Sequence, residues 1–414
     1  MKFQRTSLLL LFILQLFICG CTTVTDDTLP LSPATLIYMI ADNNLDYYAV
    51  SNIKQMEIGL PKNATGPVFV FIDRAIGSNP SHPYLLRIAK NSDSTSITSP
   101  ILKVYREQNS CAPEFFCNVV ADVKKYCKSY NAELRRLVLW SHGTGWLPEG
   151  TPFNELNYTD ENKKPDKSIT IFPSYSIGLD NTDGNGVIDY RKEMDIKDLA
   201  IALEGEHFEL LIMDACFMGT IEVAYELRKV CDYLLMSPTE IVASGFPYEK
   251  IINYLTEPTI DPLIIAVNFF NYYNEQKNAL QSAAISVIQT RYLEELALNM
   301  KIVYQDYILC KENISLQEFK QYDRSLSNYF FDCKNFILQI SKFSKNNYQY
   351  ILNLYEKINP FYLHTEKMYG ILELSDTHGL SLYIPNTFYN RSDLHEYYKS
   401  LSWTQASGAM LFFD

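Results

Sequence analysis

Two short stretches of this sequence put reactive side chains where a buried strand runs out. In ELLIMDACFMG, the apolar run Leu210 to Met213 gives way to Asp214, Ala215 and Cys216. In LRRLVLWSHGTGW, a second apolar run ends in Ser141, His142, Gly143, Thr144 and Gly145. A thiol is mostly protonated at neutral pH and attacks carbonyl carbon as the thiolate. An imidazole within reach takes that proton and returns it to a leaving amine. A Cys and a His at the mouths of neighbouring strands would therefore perform hydrolysis through a covalent acyl intermediate. Gly143, with no side chain, lets its N–H approach a developing oxyanion, and the Cys216 amide would be a second donor. Asp214 lies two residues before the cysteine and so faces the same side of the strand. There it would receive a substrate Arg or Lys side chain; the structural alternative is an aspartate bonded to nearby backbone amides. Spacing alone leaves both readings of the pair open, because a Cys and a His on separate strands also suit a core.

The elements that would position these residues alternate. Strands are expected at Thr35–Ala41, Pro67–Asp73, Tyr84–Ala89, Leu134–Trp140, Leu210–Met213, Tyr233–Met236 and Ala283–Ile288. Helices are expected at Tyr47–Ile58, Asn118–Tyr130, Asp195–Glu204, Thr220–Val230 and Leu263–Tyr273, with Asp42-Asn43-Asn44 opening the first. Strand–helix alternation predicts an α/β fold with a mostly parallel sheet and right-handed crossovers. From Tyr292 to about Lys357 the sequence reads as helical, Gly379–Pro385 as a late strand and Leu394–Leu401 as a helix. The organisation expected is a leader over 1–20, a tether over 21–33, an α/β domain over 34–290 and a mainly helical region over 291–414.

The leader is read from Lys2 and Arg5 followed by an apolar segment, Leu8 to Ile18, too short for a free-standing span. Its end, Ile18-Cys19-Gly20-Cys21, resembles a bacterial lipobox and would make Cys21 the lipidated first residue of an exported, membrane-anchored lipoprotein of a cell envelope; an ordinary cleaved signal with an incidental cysteine is the alternative. A net charge of -12 over 414 residues excludes nucleic acid as an expected partner, since phosphate binding needs basic stripes. Peptides and proteins are the expected partners, and a monomer the expected state. Cys111 with Cys117, and Cys310 with Cys333, are candidate disulfides in an oxidising compartment; buried inert thiols are the alternative.

Between the two reactive stretches lies a long polar segment, Leu147 to Ser176, with Lys163, Lys164 and Lys167 at its middle. Segments of this length inside a domain usually carry function or are disordered. It is followed by GLDNTDGNGVIDY, in which Asn181, Asp183 and Asn185, with Asn181 as first position, resemble the first half of a calcium loop. The twelfth position is Lys192 instead of a bidentate acid, so a plain turn into a hairpin strand competes with calcium.

Taken together, LIYMIADNNLD, LVLWSHGTGW, LLIMDACFMGTIEVAYEL, CDYLLMSPTEIVASGFPY and GLSLYIP resemble, in order, the clostripain-like cysteine peptidases, relatives in fold of caspases, gingipains and legumain. The resemblance implies a three-layer α/β/α sandwich, His142 and Cys216 as the catalytic dyad, Gly143 at the oxyanion position and Asp214 in the pocket for a basic side chain. It implies cleavage after Arg or Lys and activation by self-cleavage in the 147–192 loop, with Lys163, Lys164 and Lys167 as candidate sites. No cofactor is required by that chemistry, and some relatives use calcium. One departure is the segment SPTEIVASGFPY, where Glu240 is the single acid to assist Asp214. The competing functions are a non-catalytic surface-binding lipoprotein on the same scaffold and a related peptidase with Asn specificity.

Overall fold

The computed structural model describes residues 30–413 apart from 94, 152–175, 183–187, 311–314, 325–327, 345–347 and 386–391. Residues 32–414 form one compact unit. Its frame is a nine-stranded sheet. In chain order the strands are β1 (Ser32–Ala41), β2 (Val68–Arg74), β3 (Tyr84–Arg87), β4 (Ile101–Val104), β5 (Ala132–Trp140), then β8 (Phe208–Asp214), β9 (Cys231–Met236), β10 (Ala284–Gln289) and β12 (Phe361–His364). Strands β6 (Ile177–Thr182) and β7 (Ile188–Met194) pair with each other as a separate hairpin, and the short β11 (Phe331–Asp332) pairs with Ser381–Leu382.

Spatial order is β12-β10-β9-β8-β5-β1-β2-β3-β4. The five central strands are parallel, and both flanks turn antiparallel. The parallel centre follows from composition. In β1 every residue from Pro33 onward is buried, and successive side chains serve opposite faces. Leu36, Tyr38 and Ile40 join one core, while Ile37, Met39 and Ala41 join the other. Strands covered on both sides in this way are built from near-continuous apolar runs.

Helices cover both faces, which gives the three-layer sandwich. On one side lie α1 (Asp46–Gly59), α5 (Tyr248–Ile251) and α6 (Pro262–Asn274). On the other lie α2 (Pro113–Ser129), α3 (Ile196–Ala202), α4 (Ile221–Glu226) and α7 (Leu293–Cys310). Pro113 and Pro262 occupy first-turn positions, where a missing N–H costs nothing. Asp261 caps α6 by accepting from Leu263 N at 3.0 Å, and Thr220 caps α4 from Val223 N at 3.1 Å.

Several elements differ from expectation. Ser32 and Pro33 already pair with Ala132 and Glu133, so β1 begins inside the stretch read as a tether. β4 is half-exposed and antiparallel, and its short ILKV carries too little pattern to stand out. Residues beyond 290 supply an edge strand as well as helices, for β12 pairs antiparallel with β10. Their helices pack into the same core as α2, α3 and α4. The late strand shrinks to Ser381–Leu382 on β11.

Candidate active site

His142 and Cys216 come to the same sheet edge because β5 and β8 are neighbours in parallel register. Arg136 lies opposite Leu210 and Trp140 opposite Asp214. His142 follows Trp140 by two residues and Cys216 follows Asp214 by two, so the same register carries the pair past the strand ends. The backbone confirms it: Ser141 N donates to Asp214 O at 3.3 Å. This is the carboxyl edge of the sheet, where ligand crevices form in such folds, one strand over from the β1/β5 line at which the strand order reverses.

His142 is 3% exposed, and burial alone depresses its pKa to about 4. It is therefore a neutral base through the physiological range. Its Nε2 lies 2.7 Å from Asn44 Oδ1. With the amide oxygen as acceptor, Nε2 holds the proton and Nδ1 is the basic nitrogen. The loop that offers Asn44 is fixed by Asn43, whose Oδ1 accepts from Leu45 N at 2.8 Å and whose Nδ2 donates to Leu179 O at 2.7 Å. Cys216 is half-buried between the two cores. Ile241 N donates to its sulfur at 3.3 Å, a contact that favours the thiolate.

The glycines of the histidine loop are explained by what lies against them. A Cβ on Gly143 would sit 2.7 Å from Cys216 O and 3.0 Å from Met218 Sδ. On Gly145, at φ +65°, it would sit 2.6 Å from Phe217 O. The histidine and cysteine turns thus touch backbone to backbone, and only glycine permits it. Gly143 also forms an isolated bridge with Ile177. The flanking bonds run from Thr144 N to Ser176 O and from Gly178 N to His142 O, so this pairing does not engage the Gly143 amide.

Asp214 is 3% exposed, and its pKa is pushed up to about 7 by desolvation. Its Oδ2 accepts from Phe246 N at 3.1 Å and from the Tyr248 hydroxyl at 2.9 Å. Gly245, at φ +66°, passes so close that a Cβ there would lie 2.8 Å from Oδ2. That loop is itself held: Asn52 donates to Ser244 O at 3.0 Å while accepting from Trp140 Nε1 at 2.9 Å, and the Tyr273 hydroxyl donates to Gly245 O at 2.5 Å. Glu240, the acid expected to assist Asp214, has a partner of its own. It is 4% exposed, and its Oε1 takes Arg324 Nε at 2.8 Å. An acid already committed to an internal guanidinium is not an open second acid for an incoming cation.

The chain that brings this Cys and His to one sheet edge, with glycine turns packed between them, has known relatives. The clostripain family model matches residues 37–171 and 175–410. The chain belongs to the clostripain family. It is 28% identical to clostripain of Hathewaya histolytica over 238 residues, covering 53% of this chain and 41% of that protein. It thus spans well under half of that relative's length. Among solved structures, a secreted C11 cysteine protease of Bacteroides thetaiotaomicron, bound to an irreversible peptide inhibitor, superposes with a TM-score of 0.71 at 26% identity. That match covers 91% of this chain and 99% of the protease. An inactive zymogen C11 protease of Parabacteroides distasonis gives 0.70 at 26% identity, covering 91% and 98%.

Among the described residues, no group of three or more His, Cys, Asp or Glu side chains is placed to hold a metal ion. Asp42, Asp73, Glu107 and Asp180 do gather near the ends of β1 and β2, tied by other means. Asp180 accepts from Ser110 N and Oγ, Asp42 from Ile76 N and the Thr182 hydroxyl. Desolvation, then the neighbouring carboxyls, raises Asp73 well above the usual carboxylate range and lifts Glu107 to about 7. Burial and mutual repulsion thus favour the protonated forms of Asp73 and Glu107.

Lys163, Lys164 and Lys167, the Asp183/Asn185 turn and Cys21 lie outside the described residues. The candidate disulfides are not formed: Cys111, Cys117, Cys310 and Cys333 are all free thiols, and Cys111 and Cys333 are buried. No helix among the described residues is long and apolar enough to cross a membrane. Sequence reasoning missed Asn44, Ile241 and Arg324. Asn44 stood in the expected helix-opening loop, two residues beyond Asp42, but nothing in its spacing points at His142. Ile241 acts through its backbone, which leaves no mark on residue type.

Proposed function

We propose that this protein is an exported cysteine endopeptidase that hydrolyses peptide bonds after Arg or Lys. The observation that carries the reading is the in-register meeting of His142 and Cys216 at the carboxyl ends of adjacent parallel strands. His142, neutral and oriented by Asn44, accepts the Cys216 proton. The sulfur adds to the scissile carbonyl carbon, and the oxyanion is received by the amides of Gly143 and Cys216. The tetrahedral intermediate collapses, the C–N bond breaks, and the imidazolium gives its proton to the departing amine. Water, deprotonated by His142, then hydrolyses the thioester and restores the thiol.

Asp214 supports the basic specificity. Both of its protein hydrogen bonds fall on Oδ2, so Oδ1 is the oxygen that an arginine or lysine side chain would meet. Such a cation would draw its proton off by favouring the charged form. Self-cleavage near Lys163, Lys164 and Lys167 and lipid anchoring through Cys21 complete the proposal; no cofactor enters the reaction, and calcium at Asp183 and Asn185 would act on structure only. The raised pKa of Asp214 also gives a second reading weight, since a neutral carboxyl suits an uncharged Asn side chain.

The test is expression of the chain from Thr22, with Cys216→Ala beside it, against Arg-, Lys- and Asn-peptidyl fluorogenic substrates. Turnover of Arg and Lys peptides, absent in Cys216→Ala, is expected. Preference for Asn peptides would move the assignment to the second reading. Absence of any turnover, with calcium and after trypsin nicking, would leave a non-catalytic scaffold.

A further inference from the structure

The cysteine turn is gripped by a hairpin from far along the chain. Its two arms meet where Gln321 bridges Phe331, Tyr322 N donates to Phe330 O at 2.9 Å and Asp332 N to Lys320 O at 2.8 Å. Two of its side chains reach the nucleophile's immediate support. Phe330 stacks on Phe217, the residue after Cys216, with ring centroids 4.7 Å apart and planes 18° from parallel. Phe217 needs such backing, because at φ +57° it holds a left-handed conformation that bulky residues avoid. Arg324 reaches Glu240 with Nε at 2.8 Å and Nη2 at 2.5 Å from the same oxygen, both side chains about 95% buried. The guanidinium also lies over the Tyr369 ring, 4.8 Å from its centroid.

Glu240 precedes Ile241, so one peptide plane carries the Glu240 carbonyl and the Ile241 N–H. That N–H is the donor to Cys216 Sγ. The same plane is held on its other side by the Thr239 hydroxyl, which donates to Glu240 O at 3.0 Å. The loop 237–241 is further tied to the cysteine turn by Phe217 N to Thr239 O at 2.8 Å and Gly219 N to Ser237 O at 2.6 Å. We propose that Arg324 is a positioning residue for the reaction: by anchoring Glu240 it fixes the peptide plane whose N–H supports the Cys216 sulfur. The Glu240 carboxylate then serves the nucleophile through the backbone and does not contact substrate.

The inference rests on Cys216 being the nucleophile. Its test uses alkylation of that thiol by iodoacetamide across pH, which needs no substrate, so its failure is separable from failure of the peptidase reading. In Arg324→Gln, alkylation at mildly acidic pH should slow about tenfold and catch up as pH rises, because the thiolate has lost a fixed donor. With an Arg or Lys peptide, kcat should fall about tenfold while KM stays within about twofold. Arg324→Lys should recover part of both losses. Removing one partner orphans a buried charge and can unfold the chain. The double variant Glu240→Gln/Arg324→Gln removes both charges, and it should show the same tenfold loss and no more. A folded double variant with wild-type alkylation and kcat would overturn the proposal. So would a loss confined to KM, which would put Glu240 or Arg324 on the substrate.

Discussion

Replacing Asp214 with Asn separates what that residue does for substrate from what it does to the fold. Asparagine is nearly isosteric and keeps an oxygen to accept from Phe246 N and the Tyr248 hydroxyl. What it loses is the charge. In the folded chain the carboxyl titrates at about 7 against its usual 3.8, through desolvation. Between those values the folded state keeps a proton that the unfolded state has released, so stability falls as pH rises through the window. At about 1.4 kcal/mol for each pH unit, the carboxylate destabilises the fold by on the order of 4 kcal/mol above about pH 7. Asp214→Asn escapes that loss. Urea denaturation of both proteins in the Cys216→Ala background, where self-cleavage cannot interfere, should show a stability difference that grows in favour of the variant from pH 4 to 7 and then levels. Activity should move the other way: kcat/KM for Arg and Lys peptides falls by about 100-fold, the loss of a buried charge-assisted pair worth about 3 kcal/mol. A stability difference independent of pH would refute the buried, proton-holding carboxyl. Unchanged turnover of basic peptides would refute its place in the pocket.

Other outcomes follow from the same geometry. Gly143→Ala should cut kcat by about 100- to 1000-fold, since the new methyl meets the Cys216 carbonyl at 2.7 Å and pushes an oxyanion donor away; steady-state kinetics with a folded control checks it. Asn44→Ala should lower kcat about tenfold with little change in KM by freeing the imidazole, and the acid limb of kcat/KM should shift from its position near pH 4. On a denaturing gel the wild-type protein should run as two chains and Cys216→Ala as one, with Lys163, Lys164 and Lys167 variants locating the cut.

Much of the frame was legible because the central strands are apolar on both faces and end abruptly in polar or glycine residues. Leu134–Trp140 and Leu210–Met213 show this, and His142 and Cys216 follow their ends. The register between them was not legible, since it is set by packing across the whole sheet and leaves no local trace. Glu240 shows the limit most clearly. As a residue type beside the cysteine loop it looks like a substrate acid, yet its partner Arg324 lies 84 positions away in a hairpin of two-residue pairings. β12 was hidden likewise, because FYLH between helical segments carries too few residues for a period. Asp214 was singled out by its position two residues before Cys216, but its burial and raised pKa come from Phe246, Tyr248 and Gly245, a loop brought in by α5 and α6.

The strand order divides the sheet at one line, between β5 and β8. Every strand on one side, β1 to β5, comes from residues before 141; every strand on the other, β8, β9, β10 and β12, comes from residues after 207. A cut anywhere in 152–175 therefore leaves two polypeptides that are each a contiguous half-sheet, joined edge to edge by backbone hydrogen bonds from Arg136 to Asp214. The histidine belongs to one half and the cysteine to the other. Mixing separately made halves therefore assays whether the proposed activity needs the two half-sheets assembled edge to edge.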